Sequence, residues 1–398
     1  MFLKIFQQTS WQIFGKAVTV ISTFIILGTI TRNYGEVGTG VITLALTYIN
    51  MFFLLADFGL NAHIQRTMEH LDKDQQEQIF RKLLGTRLLW ACALVVLSMI
   101  LLPFFKFASG QFSVLVIFGS LAIVGSAVFL TANLIFQRKF RYDLSILASI
   151  AGTFIYLGLV LWFARFRLPL YFLILAQTIN WILTAVIALI FIRKFFRTIT
   201  PCFDGSFILK EVKSAWPIGI TLILNVIYFR ADSFIIAYFR SVSESGIYNV
   251  AFQFFQSVLV LPAFIMNAYY PMMLKSFKDI KIVGLGLFGA AFLGTLITFM
   301  FSPVILSVLT GGGFAGSSQS LQILSLGFPA FFLSALFMWI YVTRGMYKKL
   351  FIIYAFGLLV NLVLNFIFIP QYSFYAAATT TVISEYLILL LLVVSLFL

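Results

Sequence analysis

From Trp216 to Phe239 the chain reads WPIGITLILNVIYFRADSFIIAYF, and apolar runs of this kind return along its whole length. A run of about twenty such residues crosses a bilayer as one helix, at about 1.5 Å per residue. The spans expected on this basis lie near 10–31, 39–60, 83–105, 112–136, 144–164, 169–192, 216–239, 247–270, 281–302, 319–342, 350–369 and 374–396. The fold class is therefore an all-α integral membrane protein of about twelve transmembrane helices. Composition excludes a soluble domain, which carries about 25% charged residues. Here only 10% of residues are charged and 62% are hydrophobic.

The chain has 27 Lys and Arg against 13 Asp and Glu. In a soluble protein that surplus would suggest nucleic acid. In a membrane protein it follows topology, because short cytoplasmic loops gather Lys and Arg. With the N-terminus inside, the outer loops hold only Arg32, Lys106, Arg165, Arg167 and Arg240. Inner segments hold clusters such as Arg138-Lys139-Phe140-Arg141 and Lys348-Lys349. Both termini are then cytoplasmic, and no nucleic-acid partner is expected. Cys92 and Cys202 make no disulfide framework. His63 and His70 sit among acidic residues of a solvated helix and are not read as a metal pair. Gly311-Gly312-Gly313-Phe314-Ala315-Gly316 lacks the Gly-Lys-Ser/Thr of a P-loop and falls in an outer loop, so no cofactor is expected. Gln12, Gly15 and Lys16 interrupt the first run, which argues against a cleavable signal peptide.

The informative residues are those that lipid would reject. Arg230 and Asp232 sit well inside an apolar run, and a charge at the bilayer centre must face protein or water. Two residues apart on a helix, they point to different sides and are not each other's partner. Asp232 shares a face with Thr221, Asn225 and Tyr228, a polar stripe that reads either as a helix-locking cluster or as the wall of a hydrophilic cavity. The first span carries Gln12, Lys16, Thr19 and Thr23 on one face and ends outside at Arg32. The second carries Thr43, Thr47, Asn50, Asp57 and Asn61 in one line, which places Asp57 near the cytoplasmic mouth. Asn249, Gln253, Gln256 and Asn267 keep one side of the eighth span polar, and Asn361 and Asn365 lie one turn apart in the eleventh. Interhelical hydrogen bonds alone would explain those last two. Glu385 lies about eleven residues into the last span with no basic neighbour in sequence, a position suited to a protonation switch or to a paired structural carboxylate. Arg87, a turn inside the third span, is explained by snorkelling to the headgroups.

Residues 66–82 read as a charged, solvated lead-in to the third span. The longest break runs from Arg193 to Lys213, with Phe207, Ile208 and Val212 opposite Lys210, Glu211 and Lys213 as a short amphipathic elbow helix. The halves echo each other. Trp11 precedes Gly35-Glu36-Val37-Gly38 much as Trp216 precedes Ser243-Glu244-Ser245-Gly246. The organisation expected is a first lobe over 1–198, a linker and elbow helix over 199–215, and a second lobe over 216–398. Two parallel six-span repeats would place a ligand site between them near mid-membrane.

Several stretches resemble a known family. They are Tyr34–Leu60 (YGEVGTGVITLALTYINMFFLLADFGL), Ala215–Ile235 (AWPIGITLILNVIYFRADSFI), Ser243–Ala251 (SESGIYNVA), Phe314–Leu326 (FAGSSQSLQILSL) and Asn361–Glu385 with its Ile383-Ser384-Glu385. In family order, they resemble the Wzx-type lipid-linked oligosaccharide flippases of the multidrug/oligosaccharidyl-lipid/polysaccharide exporter superfamily. The resemblance implies two six-helix lobes around a cationic central cavity. It also implies alternating access, moving an undecaprenyl-pyrophosphate-linked glycan from the inner to the outer leaflet of a bacterial cytoplasmic membrane. It makes Arg32 and Arg230 the cationic substrate-binding positions and Asp57, Asp232 and Glu385 the matched acidic ones. Lipid-linked oligosaccharide, membrane lipids, a glycan polymerase and chain-length proteins are the implied partners. The chain ends at Leu398 without the basic cytoplasmic tail of the family pattern.

The physics of that cargo agrees. A pyrophosphate crossing hydrocarbon needs fixed cations, and guanidinium supplies paired donors. A sugar needs amides and hydroxyls, which the striped faces supply. A peptidoglycan-precursor flippase is the near alternative. A multidrug exporter of organic cations would want an acidic cavity, and a membrane glycan polymerase would want a long outer loop or an outer acidic pair. The chain is read as a transporter and not as an enzyme.

Overall fold

A computed structural model describes residues 2–68, 71–107, 110–274 and 276–397. The side chains of Thr221 and Asn225, and all of His70, fall outside the described residues. Every regular element among the described residues is helical. In chain order they are α1 (Phe2–Asp57), α2 (Leu60–Thr67), α3 (Lys73–Ile100), α4 (Gln111–Arg138), α5 (Tyr142–Arg165), α6 (Leu170–Ile192), α7 (Gly205–Phe239), α8 (Val242–Val258), α9 (Val260–Met273), α10 (Ile280–Thr310), α11 (Ala315–Ser325), α12 (Phe328–Thr343) and α13 (Tyr347–Phe397). A 3₁₀ turn at Leu102–Phe104 follows α3.

Among the described residues, nine helical stretches are long and apolar enough to cross a membrane, or ten when α11 and α12, bent by 44° at Leu326-Gly327, are taken as one. Two of the nine are broken inside. Gly35 (φ 64°) interrupts α1 and Ser373 (φ 54°) interrupts α13, so each contains two helices, and each half is about the length one crossing needs. Gly35 has the residue type its left-handed backbone favours. Ser373 does not, and its hydroxyl is held by Glu244.

The chain forms two compact units, one of Met1–Asn33 and Val41–Val226, the other of Tyr34–Gly40 and Ile227–Leu398. The division falls inside α7. The elbow helix expected at 207–213 is continuous with the seventh span, because nothing from Gly205 to Phe239 stops the helix and Pro217 does not end it.

In the first unit α4 packs against α3, α5 and α6. Its buried face is written in small residues, including Gly119, Ser120, Ala122, Gly125, Ser126 and Ala127. Small residues let helix backbones approach closely, where dispersion replaces the missing hydrophobic drive. At Gly125 an added Cβ would lie 2.7 Å from the carbonyl carbon of Trp181 on α6. Gly125→Leu should therefore force α4 from α6 and lower stability by about 1–3 kcal/mol. The check is a melting point several degrees lower in fluorescence-detected size-exclusion chromatography, and an unchanged one would deny the close approach.

The charged lead-in expected at 66–82 is exposed over Asp72–Gln75 and is also tied to the segment that follows α6. Asp72 caps α3 in a capping box with Gln75. Glu77 then accepts the backbone N–H groups of Arg197 and Thr198, each at 2.9 Å. Arg81 Nε donates to the Thr200 carbonyl at 3.0 Å, and the Arg81 backbone carbonyl accepts the Cys202 N–H at 2.9 Å. Lys82 meets Asp204 at 2.8 Å. The charges satisfy backbone groups of an irregular segment that would otherwise lack partners. Beneath them Leu60, Ile64, Phe80, Leu83, Phe136 and Phe196 form a buried cluster.

In the second unit α11 packs on α8, α10 and α13, and α12 on α9, α10 and α13. Leu259 separates α8 from α9, which together form one candidate span. The glycine run caps α10: Gly311 is left-handed (φ 78°) and its N–H returns to Ser307 at 2.9 Å.

Candidate functional site

Within the second unit, α7 carries three residues whose polar ends diverge. Tyr228 donates to Glu385 Oε2 of α13 at 2.8 Å. Asp232 accepts the Tyr248 hydroxyl of α8 and, at 2.8 Å, the N–H of Ser233. Arg230 donates to Gln256 Oε1 on α8 at 2.8 Å, and its guanidinium carbon lies 5.5 Å from the centre of the Phe252 ring. The stripe expected to run through Tyr228 and Asp232 is thus split between α13 and α8. Arg230 and Asp232 make no ion pair with each other among the described residues.

The two acids are closed in by protein. Asp232 and Glu385 are each 3% exposed. Around Asp232 the hydrogen bonds continue: Ser233 Oγ donates to Asn249 Oδ1 at 2.8 Å, Asn249 Nδ2 to Ser245 Oγ at 3.3 Å, and Ser245 Oγ to the Ser233 carbonyl at 3.0 Å. Such a network satisfies a buried carboxylate without a cation. Arg230 differs. With no carboxylate oxygen within ion-pair distance among the described residues, most of its five-donor fork is left for another acceptor.

Other sequence-predicted residues separate by setting. Gln253 and Gln256 are half-buried on α8. Asn361 and Asn365 are buried, at 2% and 0% exposure, between the two halves of α13. Asn365 Nδ2 donates to Asn361 Oδ1 at 3.0 Å, Asn361 Nδ2 to Ser384 Oγ at 3.3 Å, and Thr380 donates to Asn365. Their amides join helix to helix, in keeping with the interhelical hydrogen bonds that the sequence allowed for them. Asn225 lies outside the described side chains.

In the first unit the line along α1 is also divided. Thr47 is buried, and Asn50 and Arg32 are exposed. Thr19 and Thr23 donate to the carbonyls one turn back, each at 2.8 Å, so that stripe is satisfied by its own helix. The main correction concerns Arg87. It is fully buried, with its Nη2 2.7 Å from Asp57 Oδ1 and 3.0 Å from Asn61 Oδ1, and its Nη1 3.4 Å from Thr131 Oγ1 on α4. It does not snorkel, because a carboxylate, an amide and a hydroxyl meet it in place. The signal was present in the sequence: Asp57 and Arg87 lie at the same membrane end of consecutive spans, a turn inside each.

His63 was expected on a solvated face, and its Nε2 lies 2.9 Å from Glu211 Oε2, which is nearly enclosed. Among the described residues no cluster of His, Cys, Asp and Glu could hold a metal ion.

The sequence matches the family model of polysaccharide biosynthesis proteins over residues 5–277. No curated protein matches it. Solved structures share the fold. One is the lipid II flippase MurJ in an inward closed conformation, with TM-score 0.76 and 14% identity, covering 99% of this chain and 88% of that one. A multidrug resistance MATE family transporter of the MOP superfamily matches in its inward-facing conformation, with TM-score 0.71 and 13% identity over 95% and 93%. A multidrug resistance MATE family transporter of the MOP superfamily in an outward-facing conformation matches with TM-score 0.66 and 13% identity over 99% and 94%. All these neighbours are transporters or flippases by name and not enzymes. This multi-pass, all-helical chain therefore belongs to the polysaccharide biosynthesis protein family, on the fold that flippases and transporters of the MOP superfamily use.

Proposed function

We propose that the protein moves an undecaprenyl-pyrophosphate-linked oligosaccharide from the inner to the outer leaflet of a bacterial cytoplasmic membrane, by alternating access of two six-span halves. The halves are the stretches 1–198 and 216–398, joined by 199–215, with both termini in the cytoplasm. The observation that carries the reading is Arg230: a guanidinium inside an apolar helix, bonded to a neutral amide and facing no carboxylate within ion-pair distance among the described residues. A desolvated cation of this kind suits a phosphate oxygen, whose charge would replace the water it has lost. Arg32 is the second cation of the reading, and Thr47, Asn50, Asn225, Gln253 and Gln256 are its candidate sugar contacts. A glycan polymerase and chain-length proteins would take the product.

The test is translocation in proteoliposomes, read as the fraction of lipid-linked oligosaccharide that an external glycosidase can reach. A rise over protein-free vesicles is expected. The likeness to MurJ favours a second reading, a peptidoglycan precursor as cargo. It shares the pyrophosphate, so lipid II presented in the same assay separates the two. Preferential movement of lipid II would replace the oligosaccharide.

Glu385 is the proposed coupling group. It is buried and bonded to Tyr228, so protonation would alter one contact between α7 and α13. Glu385→Gln keeps an acceptor for Tyr228 and removes the titrating proton. Transport by this variant should lose its dependence on an imposed proton gradient. Unchanged dependence would leave Glu385 structural.

A further inference from the structure

Only Arg240 and Ser241 separate α7 from α8, so α8 runs back alongside α7. Residues ascending α8 therefore meet residues descending α7. Tyr248, Phe252 and Gln256 recur every four residues and share one face of α8. Tyr248 donates its hydroxyl to Asp232. One turn on, the Phe252 ring faces the Arg230 guanidinium, 5.5 Å from ring centre to guanidinium carbon. One turn further, Gln256 Oε1 accepts from Arg230 Nη2 at 2.8 Å. A single face of α8 thus meets the acid and then the base of α7.

The ring beneath the guanidinium is fixed in place. Phe252 is 1% exposed and stacks on Tyr248 with ring centres 5.4 Å apart. Its centre is 5.7 Å from that of Phe255, which in turn stacks on Phe328 of α12 at 5.4 Å with the planes 9° apart. Four packed rings on two helices support the surface on which the guanidinium rests. That surface and one amide oxygen together set the plane of the fork.

Both groups that hold Arg230 are neutral. Glutamine and glutamate have the same length, and a carboxylate at 256 would grip the fork harder, because its hydrogen bonds to guanidinium are charge-assisted and can be paired. That grip would also cancel the charge. The amide supplies orientation and leaves the cation uncompensated. We infer that Gln256 is a positioning and specificity-determining residue: it aims Arg230 while sparing its charge, so that the site takes a phosphate-bearing cargo and not an organic cation. The inference rests on the reading of Arg230 as the cargo contact. It gives Gln256 a role beyond that of a sugar contact.

The test measures flux of a pyrophosphate-linked oligosaccharide donor in proteoliposomes over a range of donor concentrations, with a melting point for each variant. Gln256→Glu should melt at or above the wild-type temperature. It should nevertheless raise donor KM on the order of tenfold, the equivalent of one charge-assisted hydrogen bond to a phosphate. Inorganic pyrophosphate should inhibit the wild type, and its inhibition constant should rise in step with the donor KM in Gln256→Glu. Gln256→Met keeps the charge and gives up the hold, so its loss should be smaller, roughly threefold, as for one neutral hydrogen bond. Added to Arg230→Ala, Gln256→Met should lower flux no further, since it acts through that guanidinium. A glutamine that only braced the helices would give the reverse order, with the methionine variant the worse of the two. An unchanged donor KM in Gln256→Glu, a melting point below wild type for that variant, or a greater loss in Gln256→Met overturns the inference and leaves the donor reading standing. Wild-type vesicles that move no donor overturn both.

Discussion

Arg230→Ala should reduce translocation by roughly 100-fold while the protein still folds and inserts. The size follows from losing charge-assisted hydrogen bonds to a phosphate, each worth about 1.5–3 kcal/mol. The unaffected folding follows from the native contacts. Arg230 meets Gln256 and the Phe252 ring, so the variant leaves one amide carbonyl without its donor and breaks no ion pair within 4.0 Å among the described residues. Asp232 keeps Tyr248 and Ser233. Removing an unpaired cation from a membrane helix relieves desolvation, so the yield should hold or rise. Arg230→Lys keeps a point charge without the planar fork and should fall between, roughly tenfold down. Translocation by monodisperse variants, scored by glycosidase access, checks both. Full activity of Arg230→Ala would remove Arg230 from the mechanism.

Arg87→Ala should be far more damaging to the fold. It strips Asp57 of its one ion-pair partner among the described residues and leaves Asn61 and Thr131 with groups that had been met by the guanidinium. Breaking one side of a buried pair costs about 3–5 kcal/mol. For a unit of this size that is a melting point lower by about 10 °C or more. Asp57→Asn should cost as much, since it leaves a fully buried guanidinium without an anion. Asp57→Leu combined with Arg87→Met should recover most of the loss, because an apolar pair of similar volume avoids both desolvation penalties. Thermal melts of the four proteins in one detergent provide the check. Additive losses in the double variant would mean the pair is not the source of the effect.

Hydropathy made the helices legible because lipid leaves the backbone few alternatives. It was blind to where helices break or fuse. Leu259 and Leu326 sit in apolar runs that read as continuous, yet the backbone turns there. Between Gly205 and Phe239 the reverse holds: a charged, Pro-containing stretch reads as an elbow and a span, and the chain runs through as one helix. Single-helix faces were equally limited. The line through Tyr228 and Asp232 is real on a helical wheel, but which neighbour each side chain meets depends on α8 and α13, hundreds of ångströms of contour apart in the unfolded chain. Arg87 and Asp57 show the same limit from the other side. Each alone had an adequate interfacial explanation, and only their 2.7 Å contact shows that they answer each other.

The most direct measurement of the central claim is the flux of a pyrophosphate-linked oligosaccharide donor across vesicles holding the wild-type protein. The account predicts that glycosidase-accessible donor rises well above protein-free vesicles and returns close to their level with Arg230→Ala. Accessibility equal to that of protein-free vesicles, from a monodisperse protein that moves an organic cation in the same vesicles, would contradict it.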